Sequence, residues 1–370
     1  MPDVRYRLRE ETLRLQLGDL EVRRQIFDHL PLDPLHAEWF RHRAWVRTIH
    51  GTTRIEGNSL SDVEVEEVLA SSPSRFPRQD ALEVLGTQAA LELVDEVAPH
   101  LEVAIGEPLI REIHRRVLDG IDELLTPGEY RRGNNRVTDG DGNTIFTTPP
   151  SGDVPDLMRQ YGLWLGAGFD ERPAPVAAAL AHLEFVAIHP FYDGNGRTAR
   201  ALARLFLVRH GYSLGGLVSL DAYLDQDRRD YFAAIRQATG GSYEPGYDAT
   251  PFVSYFLGAL IGAADHVLKR MKGLHQVLIA LRRDIASEAL PAPLLDGLAY
   301  AWINRSLRPA DYIRITGRTK QSASGDLQAA VKLRYLVARG ETKRRRYLLG
   351  PTFGAIGMEA PASSPADRLN

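Results

Sequence analysis

Apolar positions recur at helical spacing over most of this chain. Val176 to Ile188 contains neither Pro nor Gly and places Leu180, Leu183, Val186 and Ala187 three or four residues apart, which predicts a helix. Pro190 predicts its end, because proline disfavours the α conformation at the residue before it. Another apolar run, Ala199 to Val208, predicts a second helix after a Gly-Asn-Gly turn. Upstream, His36 to Ile55 carries Trp39, Phe40, Trp45, Val46 and Ile49 and reads as an amphipathic helix. Further helices are expected at about 63–70, 79–98, 109–118 and 250–271. The pattern changes between Val137 and Phe146, where two short strands flank a Gly-rich turn. It changes again near the C-terminus. Arg308 to Thr316 and Thr319 to Val331 read as two helices across Gly317, followed by strands at Leu333–Ala338 and Arg346–Leu349. The expected fold class is therefore mainly α: a helical bundle with one β-hairpin, followed by a winged helix-turn-helix domain.

Four regions follow from this pattern: an N-terminal helical region (1–100), a core with the hairpin (101–265), the winged-helix region (275–350) and a tail (351–370) rich in Ala, Ser and Pro, expected to be disordered. With 44% hydrophobic and 25% charged residues, the 370-residue chain is ordinary for globular protein. It has no cysteine, which excludes disulfides, thiolate zinc sites and cysteine nucleophiles. No signal peptide or apolar run of spanning length is visible, so a cytoplasmic protein without a membrane partner is expected. The net charge of −3 gives no global nucleic-acid signal. Locally, however, Arg314, Arg318 and Lys320 stand near the second winged-helix helix, and Lys343, Arg344, Arg345 and Arg346 on the wing. Such clustering favours a polyanion, while winged helices also dock proteins; both DNA and a protein remain open as partners there.

The densest chemistry lies in twelve residues, His189-Pro190-Phe191-Tyr192-Asp193-Gly194-Asn195-Gly196-Arg197-Thr198-Ala199-Arg200. A helix N-terminus preceded by glycines is a ready anion site, since its first backbone N–H groups have no partner in the helix. Asn195 can add an amide donor, and Arg197 and Arg200, three apart, can face one phosphate group bidentately. Asp193 is a hard oxygen ligand of the kind Mg²⁺ uses beside phosphates. His189 is the nearby group with an unperturbed pKa close to neutral, which suits a general base. Asp139, Asp141 and Asn143 have the spacing of a calcium loop, but Thr144 stands at its glycine position and Pro150 at its final carboxylate.

The run His-Pro-Phe-x-Asp-Gly-Asn-Gly-Arg-x-x-Arg resembles the signature of the Fic family of protein adenylyltransferases, matched at every fixed position. The resemblance spans roughly residues 36–260. It implies a Fic-type helical bundle that moves AMP from ATP to a Ser, Thr or Tyr hydroxyl of a target protein, releasing pyrophosphate. On that carry-over His189 is the base, Asp193 holds Mg²⁺, and Gly194, Asn195 and Gly196 cradle the phosphates. Arg197 neutralises the departing phosphates, Arg200 positions the γ-phosphate and Phe191 anchors the loop. Thr198, Tyr231, Phe232 and Val137 complete the expected nucleotide contacts; Phe232 stands where the family pattern suggests a second tyrosine. Thr52 to Gly57 fits the family's inhibitory motif, which assigns auto-inhibition to Glu56. The hairpin after Gly128-Glu129-Tyr130-Arg131 resembles the family's flap, which holds the target segment.

The partners implied are ATP, a target protein at the flap, DNA or protein at the winged helix, and a second copy in a homodimer. Three other functions use the same residues: removal of AMP with Glu56 orienting a water, transfer from another nucleotide donor, or a DNA-binding regulator whose core senses nucleotide.

Overall fold

The computed structural model describes residues 6–70, 73–138, 142–167, 172–287, 290–340 and 345–355. Along the chain the helices are α1 (Arg14–Asp28), α2 (Pro34–Ile55), α3 (Asp62–Leu69), α4 (Arg78–Val97), α5 (Glu107–Val117), α6 (Val154–Ala167), α7 (Ala174–Ile188), α8 (Asn195–Arg209), α9 (Leu220–Gln226) and α10 (Arg228–Thr239). They continue with α11 (Thr250–Ala286), α12 (Leu294–Asn304), α13 (Pro309–Thr316), α14 (Lys320–Lys332) and α15 (Pro351–Ala355). The strands are β1 (Tyr6–Arg7), β2 (Arg136–Thr138), β3 (Thr144–Thr147), β4 (Tyr247–Asp248), β5 (Ser306–Leu307), β6 (Leu336–Arg339) and β7 (Arg346–Leu349). The chain divides into two compact units, the described residues of Met1–Leu30 with Ala44–Ala264, and those of Pro31–Arg43 with Asp265–Asn370.

The first unit is built on α7. This helix is apolar on every side, which places it at the centre of the bundle, and nearly all its residues are buried. Its alanines let α8 approach closely with Ala199, Ala201 and Ala203, also buried. Proline at position 190 ends α7, and the chain leaves through His189 in the left-handed region (φ 51°, ψ 58°). Local signals fix the other elements in the same way. Ser61 caps α3 with a capping box, accepting from the Glu64 N–H while Glu64 Oε2 accepts from the Ser61 N–H at 2.8 Å. Pro108 stands in the first turn of α5, where its missing N–H costs nothing.

The hairpin β2–β3 pairs antiparallel as expected, with Val137 opposite Phe146; the tip residues 139–141, and with them most of the calcium-like spacing, lie outside the described residues. Three expectations need correction. First, α8 begins at Asn195, not Ala199, so the Gly-Asn-Gly turn is itself the first turn of the helix, with Gly194 (φ 72°) preceding it. Second, α11 is long and apolar enough by composition to cross a membrane, although half of its most apolar window is buried in the fold. Third, Pro351–Ala355, expected within the disordered tail, is a short helix that buries Phe353 against Trp302 and Tyr335.

In the second unit, α12, β5, α13, α14, β6 and β7 follow one another, and the strands form a three-stranded antiparallel sheet in the order β5-β7-β6. Gly317 (φ 65°) makes the turn between α13 and α14, where a side chain would be strained. Of the basic wing residues, Lys343 and Arg344 lie outside the described residues.

Candidate active site

His189 to Arg200 folds into a loop closed by its own asparagine. Asn195 Oδ1 accepts from the Phe191 N–H at 3.0 Å and its Nδ2 donates to the Phe191 carbonyl at 2.9 Å. Both ends of the amide engage Phe191, so this side chain braces the loop, with the second N–H of its Nδ2 left over as a donor. The main anion site is the backbone itself. Thr198 N–H is the first to close on Gly194, at 3.0 Å, which leaves the N–H groups before it at the mouth of α8.

Phe191 anchors the loop as expected. Its ring, fully buried, stacks on His114 with centroids 3.5 Å apart and planes 5° from parallel. His114 in turn donates from Nε2 to the Asp193 carbonyl (2.9 Å), while its Nδ1 accepts from the Gly128 N–H (2.9 Å). That pattern requires a neutral imidazole, and burial lowers its pKa to about 4. A second brace is Arg131, whose side chain is completely enclosed. Its Nε donates to the His189 carbonyl (2.9 Å), its Nη2 to Pro149 (2.6 Å) and its Nη1 to Gly133 (3.2 Å). Tyr192 Oη accepts from the Gly133 N–H at 2.9 Å. The base of the hairpin is thereby tied to the loop that carries His189. The sequence reading gave no role to His114 or Arg131; a histidine on the last turn of an amphipathic helix reads as an ordinary core or cap residue until Phe191 is placed against it.

His189 keeps part of its surface accessible, yet protein atoms surround it closely enough that desolvation lowers its pKa to about 4; Arg131 lowers it further, and the Val186 carbonyl, Glu56 and Asp193 act in the opposite sense. The Asp193 side chain is half exposed. Its Oδ1 accepts from the Gly194 N–H (2.6 Å) and its Oδ2 faces Arg197 Nη2 at 3.3 Å. Arg197 is buried, and its Nε and Nη1 find no hydrogen-bond partner among the described residues; Thr198 Oγ1 is likewise buried without one. A buried guanidinium left two-thirds unsatisfied is costly unless an acceptor arrives.

Arg200 is in the opposite condition. Its Nε donates to Thr52 Oγ1 (2.6 Å), and its Nη2 to the Thr52 carbonyl (3.0 Å) and to Glu56 Oε1 (2.6 Å). Asp221 Oδ1 stands 3.5 Å from Nε. Burial alone would lower the Arg200 pKa, but Glu56, Tyr231 and Asp221 overcome that and raise it. For Glu56, burial pushes the pKa up, and Arg200, then Arg197 and His189, outweigh it, so the carboxylate is held below its ordinary range. Its Oε1 lies directly over Gly196, where an added Cβ would overlap it. A glycine is also what brings Thr52 to Asp221: a Cβ on Gly51 would stand 2.6 Å from the Ala222 nitrogen, so α2 and α9 touch backbone to backbone.

Tyr231 and Phe232, expected at the base pocket, differ in their surroundings. Tyr231 is buried in the core, its hydroxyl 2.8 Å from His182 Nε2 and 3.5 Å from Arg200 Nη1, so it supports Arg200 from behind. Phe232 is half-buried, with the Arg228 guanidinium 5.8 Å from its ring centroid. Val137 lies on β2, half-buried, away from the loop's hydrogen bonds.

Residues 104–207 match the model of the Fic/DOC family. Over 209 residues the chain is 32% identical to a protein adenylyltransferase Fic of Drosophila ananassae; the match covers 55% of this chain but only 39% of the fly protein. Among solved structures, a Fic-1 fragment from C. elegans aligns over 71% of this chain and 74% of its own, with 26% identity and a TM-score of 0.59. A Fic family protein from Desulfovibrio desulfuricans shares the fold over 91% of this chain and 94% of its own, at 23% identity and a TM-score of 0.57. The signature loop and its bracing by His114 and Arg131 all lie within residues 104–207, the stretch that matches the Fic/DOC model.

Proposed function

We propose that this chain transfers AMP from ATP to a hydroxyl of a target protein, and that Glu56 holds the activity in check. The observation that carries the reading is an anion already seated in the cradle: the Glu56 carboxylate lies over Gly196 and on Arg200, beside an Arg197 whose Nε and Nη1 have no partner among the described residues. A guanidinium that holds this carboxylate at the mouth of α8 binds phosphate by the same chemistry, and the N–H groups of the helix start can add to it. In the reaction the target oxygen attacks the α-phosphorus, the new O–P bond forms as the bond to the β-phosphate oxygen breaks, and pyrophosphate leaves. The hydroxyl proton goes to His189, which is neutral above about pH 4. A triphosphate beside the ring raises that value toward the working pH, where a general base is most effective.

Among the described residues no group of three or more His, Cys, Asp or Glu converges on a metal position. Asp193 alone fits Mg²⁺ as a single half-exposed carboxylate, because that ion takes its other ligands from phosphates and water. When bound it would neutralise phosphate charge. The target segment would lie along β2, which among the described residues pairs only with β3, whereas Thr147 on β3 is already bonded to Gly241 and Tyr243. We read the C-terminal α12 to β7 as a winged helix.

Incubation with labelled ATP and Mg²⁺, followed by mass measurement of the chain and of lysate proteins, tests the proposal; an added AMP on protein supports it. Release of AMP from a modified protein by wild type but not by Glu56→Gly, with no forward labelling by either, would replace it by the hydrolytic reading.

A further inference from the structure

We infer that the solvent face of α14 reads base edges in the major groove of duplex DNA, with Gln321 and Gln328 as the reading side chains and Gly325 as the point of closest approach. The inference rests on the winged-helix reading of this unit and not on the catalytic one. Between Arg305 and Arg346 the sequence holds twelve arginines and lysines against three carboxylates, in a chain whose net charge is −3. Two of those carboxylates are turned inward. Asp311 is buried and paired with Arg308 (2.8 and 3.2 Å), and Asp326 is buried and paired with Arg318 (2.7 and 3.0 Å) and with the Tyr312 hydroxyl (2.8 Å). Folding therefore hides the negative charge and leaves Lys320, Lys332, Arg334, Arg339 and Arg345 exposed. It also commits Arg318, still partly exposed, to a bidentate pair with Asp326, which neutralises its charge.

The helix face between these cations is unusual for an exposed one. Gln321, Ser324, Gly325, Gln328 and Lys332 recur at three- and four-residue spacing and are all exposed, so they form one stripe without a carboxylate. Glycine within a helix weakens it, and Gly325 has no packing reason to be there, since a Cβ would meet nothing within 4 Å. A residue kept small on an open face fits a partner whose surface comes close to the backbone. The flanking amides suit DNA, because glutamine bonds adenine bidentately through N6 and N7, while cations at the helix ends and on the wing take phosphates. Thr319 caps α14 by accepting from the Ser322 N–H, which fixes the helix start and hence the spacing of the stripe.

The test uses the full chain. Selection from a randomised duplex library at 50 mM NaCl, followed by fluorescence anisotropy, should return a preferred site whose affinity falls steeply with salt. Gln321→Ala with Gln328→Ala should cut the preference for that site over random duplex by about tenfold or more, with random-duplex binding retained. Gly325→Gln should weaken all duplex binding at least tenfold while the thermal midpoint stays level or rises, which separates a blocked surface from a damaged fold. Lys320→Ala and Lys332→Ala should each lower the salt slope by about one. Three results overturn the inference: no duplex binding at 50 mM NaCl, binding without sequence preference, or binding to phosphatidylserine vesicles as strong as to duplex.

Discussion

Glu56 Oε1 lies 2.6 Å from Arg200 Nη2 and so close over Gly196 that a Cβ there would displace the carboxylate. Two residues 144 apart in sequence thus meet in the mouth of α8. On the proposed reading, Arg200 paired in this way is withheld from the γ-phosphate and the nucleotide is displaced from in-line geometry, a misplacement worth ~10²-fold in rate when it reaches about 1 Å. Glu56→Gly should therefore raise AMP incorporation into the chain and its targets well above wild type. Arg200→Ala on that background should remove the gain, because the phosphate contact goes with the restraint. Labelling by folded Glu56→Gly at or below the wild-type level would end the auto-inhibition reading.

His189→Ala should lose about 10²–10⁴-fold in transfer while binding of ATP, measured by calorimetry, changes little, since the cradle that holds the phosphates is backbone and arginine. Asp193→Ala should behave otherwise, shifting the Mg²⁺ dependence of nucleotide binding as well as the rate. An unchanged metal titration would show that Asp193 is not a ligand.

Three histidines make the fold acid-sensitive. Burial lowers His182 to about 3 and His114 and His189 to about 4, against an ordinary value of about 6.5. Because the folded values are depressed, the unfolded chain takes up more protons between pH 6.5 and pH 4. Stability contributed by the neutral rings is complete above about 6.5 and is lost as pH falls through that window, at up to ~1.4 kcal/mol per pH unit for each ring. Urea midpoints at pH 7, 6 and 5 should fall in that order. His182→Phe, which keeps the ring contact with Phe252, should flatten the slope.

How much of this was legible in the sequence depended on the range of the interaction. Helix α7, its end before Pro190 and the hairpin at 136–147 are local matters of periodicity, proline and turn chemistry, and they fold where those signals put them. Glu56 was legible only through the motif from Thr52 to Gly57, since its partner is distant in sequence. The bracing role of Asn195 was not legible, because a residue between two glycines gives no sign that its amide will close on the Phe191 backbone. The contacts of Tyr231 were hidden for a related cause: the pattern places it on a helix, and only the packing sets its hydroxyl against His182 Nε2 and Arg200 Nη1. Asp221 was invisible, because its meeting with Arg200 depends on the backbone contact that Gly51 permits.

Arg131 should prove the main tie between hairpin and loop. Its three nitrogens serve three carbonyls on three segments, and lysine can serve only some of them. Arg131→Lys is expected to cost about 2–3 kcal/mol through buried acceptors left unpaired, read as a lower urea midpoint, and to speed hydrogen exchange in β2 and β3.

Arg197 offers the sharpest separation of function from structure. A residue whose purpose is to hold the fold together has its hydrogen bonds satisfied within the fold, as Arg131 and Arg200 do; Arg197 is as deeply buried, yet Nε and Nη1 are idle and Nη2 reaches Asp193 at 3.3 Å. Leaving such groups unpaired is a standing cost to the empty protein, and an arriving phosphate removes it. Arg197→Met keeps most of the side-chain volume and deletes the charge. The thermal midpoint of the nucleotide-free variant should equal or exceed that of wild type, while affinity for a non-hydrolysable ATP analogue should fall about 10–100-fold, the value of one or two charged hydrogen bonds. The two measurements pull in opposite directions only if the idle nitrogens are aimed at a ligand. A variant that melts well below wild type and binds the analogue as before would make Arg197 a structural residue and leave the cradle to the backbone and Arg200 alone.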